Sequence, residues 1–180
     1  MPPKPRSRAS RLARLLRSVV DPALWLHPFR MLHYYGYTHV AERRKIALGR
    51  DVRIAPNVSF AHGERILLGD QVQIGAHCAL WAGRSTGRIE VGARTTFGPS
   101  CFITAADYGL HAGTRITDQP MTERDVIFGP DCWIGTKAVI TAGITIGEGA
   151  VIGAGSVVTK DVPAGAIAAG VPAKVLKMRD

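Results

Sequence analysis

The chain has 180 residues, 46% of them hydrophobic and 21% charged, with a formal net charge of +9. That length suits one domain with a sizeable core, and no apolar run reaches the ~20 residues of a membrane-spanning helix. Three cysteines without a C-x-x-C pair argue against a disulfide framework and a structural metal site.

Residues 1–53 hold twelve Lys and Arg against three acidic residues, so the excess charge sits at one end. Pro2, Pro3 and Pro5 predict an irregular start. No clean apolar stretch and cleavage site follow the Arg-rich opening, and a cytoplasmic protein is expected. Leu12, Leu15, Leu16 and Val19 recur at helical spacing between Arg11, Arg14 and Arg17, which predicts a basic amphipathic helix ended by Asp21-Pro22. Residues 1–21 therefore read as a basic arm suited to peripheral contact with anionic lipid at the inner membrane face. Nucleic-acid binding is the weaker reading, because no recognition motif accompanies the charge. Residues 22–47, with Trp25, Leu26, Phe29, Met31, Leu32, Tyr34 and Tyr35, read as a helical, aromatic cap over the open first rung of a repeat that begins at Leu48.

From Leu48 the period changes. Phe128, Ile134, Ile140, Ile146, Ile152 and Val158 stand six apart, with Gly129, Gly135, Gly147 and Gly153 in second positions. Cys132, Ala138, Ile144, Ala150, Ser156 and Val162 fill the fifth. Six fits neither a 3.6-residue helix nor plain alternation. It fits a coil of short parallel strands with one inward residue per strand and small residues at corners. Leu48, Ile54 and Phe60, then Leu68, Ile74 and Leu80, then Val91, Phe97 and Ile103 carry the phase upstream. Three hexads make a triangular turn, so the chain from about Leu48 to Val162 supplies an all-β repeat of about five coils, within a domain taken as 48–177. Slips at 61–67 and 81–90 predict bulged corners at Gly63, Gly83 and Gly87, and the glycines as a class match a demand for tight corners and positive φ. Cys78, Cys101 and Cys132 all take fifth positions and read as small core residues. The long slip at 104–127 predicts an extruded loop, where chemistry is to be sought.

The hexads, the strings WIGTKAVI (133–140) and GAGSVVTKDVP (153–163) and the ending GVPAKV (170–175) resemble the hexapeptide-repeat acyltransferases. The nearest group is that of the galactoside, maltose, nodulation-factor and polysaccharide O-acetyltransferases. The resemblance implies a left-handed parallel β-helix, a homotrimer and an acetyl-CoA channel between neighbouring coils of adjacent subunits. It implies acetyl transfer to a hydroxyl, rather than an amine, of a saccharide, polysaccharide precursor or nucleotide-sugar, with no metal. Carried over by position, Thr136, Ala154, Thr159 and Lys160 line the pantetheine path, and Lys174 and Lys177 meet the nucleotide phosphates.

The family's general base is a His near the start of the extruded loop, which counting from Ile103 places at 106–108. This chain has Ala106-Asp107-Tyr108 there. His111 is the loop's only His and the first candidate base; Asp107 is the second, as base or as partner to a His. His77, one coil earlier, is the third. Asp118, Gln119 and Glu123-Arg124-Asp125 are expected to tie the loop to its own coil. The absent His also opens an alternative, a catalytically impaired trimer acting as a CoA-binding or scaffold protein. A γ-class carbonic anhydrase is disfavoured, since its three metal-binding His at inter-coil spacing are missing.

Overall fold

The computed structural model describes Leu12 and residues 16–180, and the chain divides at Tyr37/Thr38 into two compact units. In the first, residues 16–20 are helical and Asp21 interrupts the run. Pro22 then opens helix α1 (Pro22–Tyr35), where a missing N–H costs no bond, and Asp21 Oδ1 caps it by accepting from Ala23 N at 2.9 Å. Trp25 Nε1 donates to Val19 O at 2.7 Å and joins the two helical stretches. No side chain of α1 is buried. Most of the arm expected at 1–21 lies outside the described residues.

Of the cap expected over 22–47, the part from Thr38 onward belongs to the second unit. A short 3₁₀ turn, Glu42–Lys45, seats there against a corner of the coil. Glu42 Oε2 accepts from Gly63 N at 2.8 Å, and a Cβ on Gly63 would stand 2.1 Å from Glu42 O, so only glycine fits the contact. Ile46 is buried in the core below it. The unit that holds the coil spans Thr38–Asp180, so it includes this turn, which has no hexad phase.

The first coil is β1 (Ala47–Leu48), β2 (Arg53–Ile54) and β3 (Ser59–Ala61); the second is β4 (Ile66–Leu68), β5 (Gln73–Ile74) and β6 (Ala79–Trp81). The third is β7 (Ile89–Val91), β8 (Thr96–Phe97) and β9 (Phe102–Thr104), after which β10 (Ala106–Asp107) and β11 (Thr122–Glu123) leave the stack. The fourth is β12 (Val126–Phe128), β13 (Trp133–Ile134) and β14 (Val139–Ile140); the fifth is β15 (Thr145–Ile146), β16 (Val151–Ile152) and β17 (Val157–Val158). A sixth coil begins with a bridge from Val162 to Ile146 and with β18 (Ala166–Gly170), on which β19 (Ala173–Met178) folds back antiparallel. Within the stack each strand pairs in parallel with its equivalent one coil on, giving three sheets: β1-β4-β7-β12-β15, β2-β5-β8-β13-β16-β18 and β3-β6-β9-β14-β17. The solenoid is left-handed, against the usual hand of parallel crossovers.

From Phe60 onward the first-position residues are buried, Val91, Phe97, Ile103, Phe128, Ile134 and Ile140 among them, whereas Leu48 in the first coil is exposed. At fifth positions a small side chain also finds an acceptor. Cys101 Sγ donates to Gly135 O at 3.2 Å, Cys132 Sγ to Gly147 O at 3.2 Å, Thr95 Oγ1 to Gly129 O at 3.0 Å and Ser156 Oγ to Gly153 O at 2.7 Å. Burial pushes the Cys132 thiol up, and hydrogen bonding with Cys78, then burial, pushes Cys101 up. Both thiols are core groups, not nucleophiles.

The glycines meet the sequence expectation only in part. At the fourth, corner position of the hexads, positive φ is carried by Asp51, Gln71, His77, Arg94, Ser100, Asp131 and Lys137 as well as by glycines. Second-position glycine is needed for stacking: a Cβ on Gly135 would lie 2.5 Å from Ala154 N, in the coil above. Contact between coils, not backbone twist, demands the residue there.

Candidate active site

The break in the repeat is built from the end of β9. Ala105 is still buried, and its N–H donates to Trp81 O at 2.9 Å, so the chain stays in phase one residue past Thr104. It then turns out as a ribbon, not as an irregular loop. Ala106 pairs with Glu123 and Asp107 with Thr122, antiparallel, and residues 108–121 form the distal part. Gln119, itself buried, braces that part. Its Oε1 accepts from His111 N at 2.8 Å, and its Nε2 donates to His111 O at 3.0 Å and Thr114 O at 2.9 Å.

The ties expected between loop and coil therefore divide. Gln119 holds the loop to itself, and Arg124 N donates to Ala105 O at 3.0 Å across the stem. Glu123 and Asp125 reach the corner of the preceding coil. Glu123 Oε1 accepts from Arg84 N at 2.8 Å and Ser85 N at 3.1 Å; Oε2 accepts from Ser85 N at 3.0 Å, Thr86 N at 2.5 Å and Gly87 N at 3.0 Å. Asp125 Oδ1 accepts from Arg88 N at 2.8 Å. The backbone N–H of Thr86, with those of Gly87 and Ser85, holds the Glu123 carboxyl well below the usual carboxylate range. Sequence marked the Gly83–Gly87 corner as a slip but could not pair it with Glu123, because backbone donors have no letter.

Of the candidate bases, Asp107 sits in the ribbon stem, half-buried, with its Oδ2 3.7 Å from Arg124 Nη2. His111 follows in the distal loop, exposed, its backbone fixed at both ends of the residue by Gln119. Exposed Tyr108 lies between them. His77 stands elsewhere. It takes φ +60° at the β5–β6 corner, donates from its N–H to Asn57 Oδ1 at 3.1 Å, and has Asn57 Nδ2 beside its ring. The loop leaves from the corner after β9, so one chain does not bring His77 to it. Among the described residues no group of three or more His, Cys, Asp or Glu could hold a metal ion.

The six residues assigned to CoA fall on two corners and on the last strand. Thr136 and Ala154 are exposed and stack on the corner between the second and third sheets; Gly155 N donates to Thr136 O at 2.8 Å. Thr159 and Lys160 are exposed at the corner after β17, the same corner from which the loop leaves two coils earlier. Arg124 joins these levels, since a Cβ on Gly143, at that corner of the fourth coil, would stand 2.9 Å from Arg124 Nε. Lys174 lies on β19 opposite Ala169, whose Cβ would be 2.7 Å from a Cβ on Gly153. Lys177 is opposite Ile167, farther along, with its Nζ 3.6 Å from Asp180. Between the two corners the third sheet presents half-buried Val139 and Val157. Lys160 and Lys174 are both exposed.

Residues 125–160 match the family described as bacterial transferase hexapeptide (six repeats). That span holds Thr136, Ala154, Thr159 and Lys160, while the loop candidates and the two C-terminal lysines lie outside it. Over 156 residues the chain is 27% identical to a galactoside O-acetyltransferase of Escherichia coli K12, covering 82% of this chain and 75% of that protein. A maltose O-acetyltransferase from Clostridium difficile 630 superposes with a TM-score of 0.69 at 31% identity, over 77% of this chain and 73% of that one. A hexapeptide-repeat acetyltransferase from Vibrio cholerae O1 biovar eltor, solved with acetyl coenzyme A, superposes with a TM-score of 0.69 at 27% identity, over 77% and 74%.

Proposed function

The chain belongs to the hexapeptide-repeat acyltransferases, and on that premise we propose that it moves an acetyl group from acetyl-CoA to a hydroxyl of a saccharide, polysaccharide precursor or nucleotide-sugar. The observation that carries this reading is the long, braced loop expelled at the corner that two coils later holds Thr159 and Lys160. The chain's likeness to galactoside and maltose acetyltransferases supports a sugar acceptor.

In the reaction, the acceptor hydroxyl loses its proton to a base as its oxygen attacks the thioester carbonyl. The tetrahedral oxyanion then collapses, the C–S bond breaks, and the proton passes to the departing CoA thiolate. Histidine is the side chain most often used as a general base in proton-transfer catalysis. We therefore give the proton to His111 and an orienting role to Asp107, with Arg124 beside it. His77 keeps its corner role with Asn57.

Thr136, Ala154, Thr159 and Lys160 are proposed to line pantetheine, and Lys174 and Lys177 to meet phosphate oxygens. Replacing Lys174 by Ala raises KM for acetyl-CoA about three- to tenfold with kcat kept, the size of one partly solvated charge contact. Initial-rate kinetics check this; an unchanged KM removes Lys174 from the site. A homotrimer with acetyl-CoA between neighbouring coils fits the outward apolar strip Ala79, Phe102, Val139 and Val157 and the exposed Trp81. The function itself is tested by CoA thiol release with a panel of hexopyranosides and nucleotide-sugars. Acceptor-dependent release is expected; none with any acceptor, despite acetyl-CoA binding, contradicts it.

No helix among the described residues is long and apolar enough to cross a membrane. We place the protein in the cytoplasm, with the basic arm as a peripheral contact to the inner face of the membrane. Removing residues 1–20 is expected to abolish co-sedimentation with phosphatidylserine vesicles at low salt. Unchanged sedimentation excludes the arm as the anchor.

A further inference from the structure

We propose that Glu123 is a positioning residue for the transfer reaction: by clasping the 84–87 corner it fixes the ribbon that carries Asp107 and leads to His111. The inference rests on reading the loop as the transfer site. Five backbone N–H contacts from four successive residues converge on this one carboxylate, and Thr86 Oγ1 adds a sixth contact at 3.2 Å. Both oxygens accept, so the corner is a concave set of donors that a neutral amide cannot satisfy.

The corner is shaped for the clasp. A Cβ on Gly83 would lie 2.4 Å from Glu123 Oε2, and one on Gly87 would lie 2.5 Å from Ala105 O. From the coil below, Arg65 Nη2 reaches Arg84 O at 3.5 Å, and Asp125 holds Arg88 N on the other side. Glu123 is the residue paired with Ala106, next to Asp107, at the ladder that sets where the loop begins. The stem has only two residues in each strand, too few to hold a direction by its own hydrogen bonds. An anchor to a different coil supplies that direction. None of the six residues assigned to CoA touches the clasp, so loop position and cofactor binding are separable.

The test compares Glu123→Gln with the full-length wild type. The change keeps size and shape but sets an NH₂ group against N–H donors. We expect kcat for acetyl transfer to fall about 10- to 100-fold, the scale on which small misplacements act, while KM for acetyl-CoA stays within about twofold. Tryptic cleavage after Arg115 in the distal loop should accelerate in parallel. Wild-type kcat in Glu123→Gln overturns the proposal and leaves the acetyltransferase reading intact. Should that variant not fold, Gly87→Ala displaces the same clasp from its other side and must give the same split between kcat and KM. Absence of transfer by the wild type itself defeats the functional reading, and with it this role; faster cleavage of Glu123→Gln then marks the clasp as structural only.

Discussion

Replacing His111 by Ala lowers kcat about 10²- to 10⁴-fold, the ordinary worth of a general base, and leaves KM for acetyl-CoA almost unchanged. The side chain is exposed in a loop, so its loss disturbs no packing. Its backbone position is independently held by Gln119, which grips both His111 N and His111 O, so the loop keeps its course in the variant. The proton from the acceptor hydroxyl then has to leave through water. Steady-state rates at saturating acceptor, with a melting curve for each protein, provide the check. Asp107→Asn should fall less, because it removes an orienting charge beside Arg124 and not the proton carrier. If His111→Ala turns over like the wild type and Asp107→Asn is inactive, the two roles are exchanged. If both are unimpaired, transfer does not depend on a loop base.

The largest loss of stability is expected from Phe128→Ala, about 3–5 kcal/mol by the usual cost of truncating a buried aromatic ring. Phe128 opens the fourth coil and is 2% exposed, with its ring edge-on to Phe97 of the third coil at 5.1 Å. It thus spans the level at which the loop interrupts the chain and the coil must resume its phase. A loss of that size is a large part of the roughly 5–15 kcal/mol that holds an ordinary domain. The neighbouring Ile127, 39% exposed on the outward side of the same strand, should cost well under half as much when truncated, about 1 kcal/mol. Urea titrations of the two variants separate them. Equal losses at Phe128 and Ile127 would mean that the inward–outward assignment of the hexad is wrong.

That assignment was legible because each first-position residue from Phe60 to Val158 meets the same core, and a repeated environment writes a repeated letter. The core role of the three cysteines followed from the same phase. What the hexad could not express lay where the environment is not repeated. Residues 38–46 join the coil through a carboxylate on the N–H of Gly63, a contact with no periodicity. The loop's ribbon consists of two pairs, Ala106 with Glu123 and Asp107 with Thr122, too short to alternate. Second-position glycines were legible as small residues, but their cause, the approach of the next coil, needed coordinates. The Pro22–Tyr35 helix was readable from Asp21-Pro22 and its apolar run, and the first unit bears out the helix. In the site, counting from Ile103 put the loop's start at 104, two residues before the ribbon leaves the stack at Ala106; the Asp107–Arg124 pair and the Glu123 clasp depend on chain reversal and were beyond reach.

Acetyl transfer to a hydroxyl leaves a chemical record on the acceptor that can be read directly. The full chain is incubated with acetyl-CoA labelled in the acetyl group and with saccharide acceptors, and the acceptor is recovered for mass spectrometry and alkaline hydrolysis. The expected outcome is one labelled acetyl per modified acceptor, held as an alkali-labile ester, with an equal amount of CoA thiol released. Label recovered only as free acetate, or only in an alkali-stable amide, would contradict O-acetyl transfer.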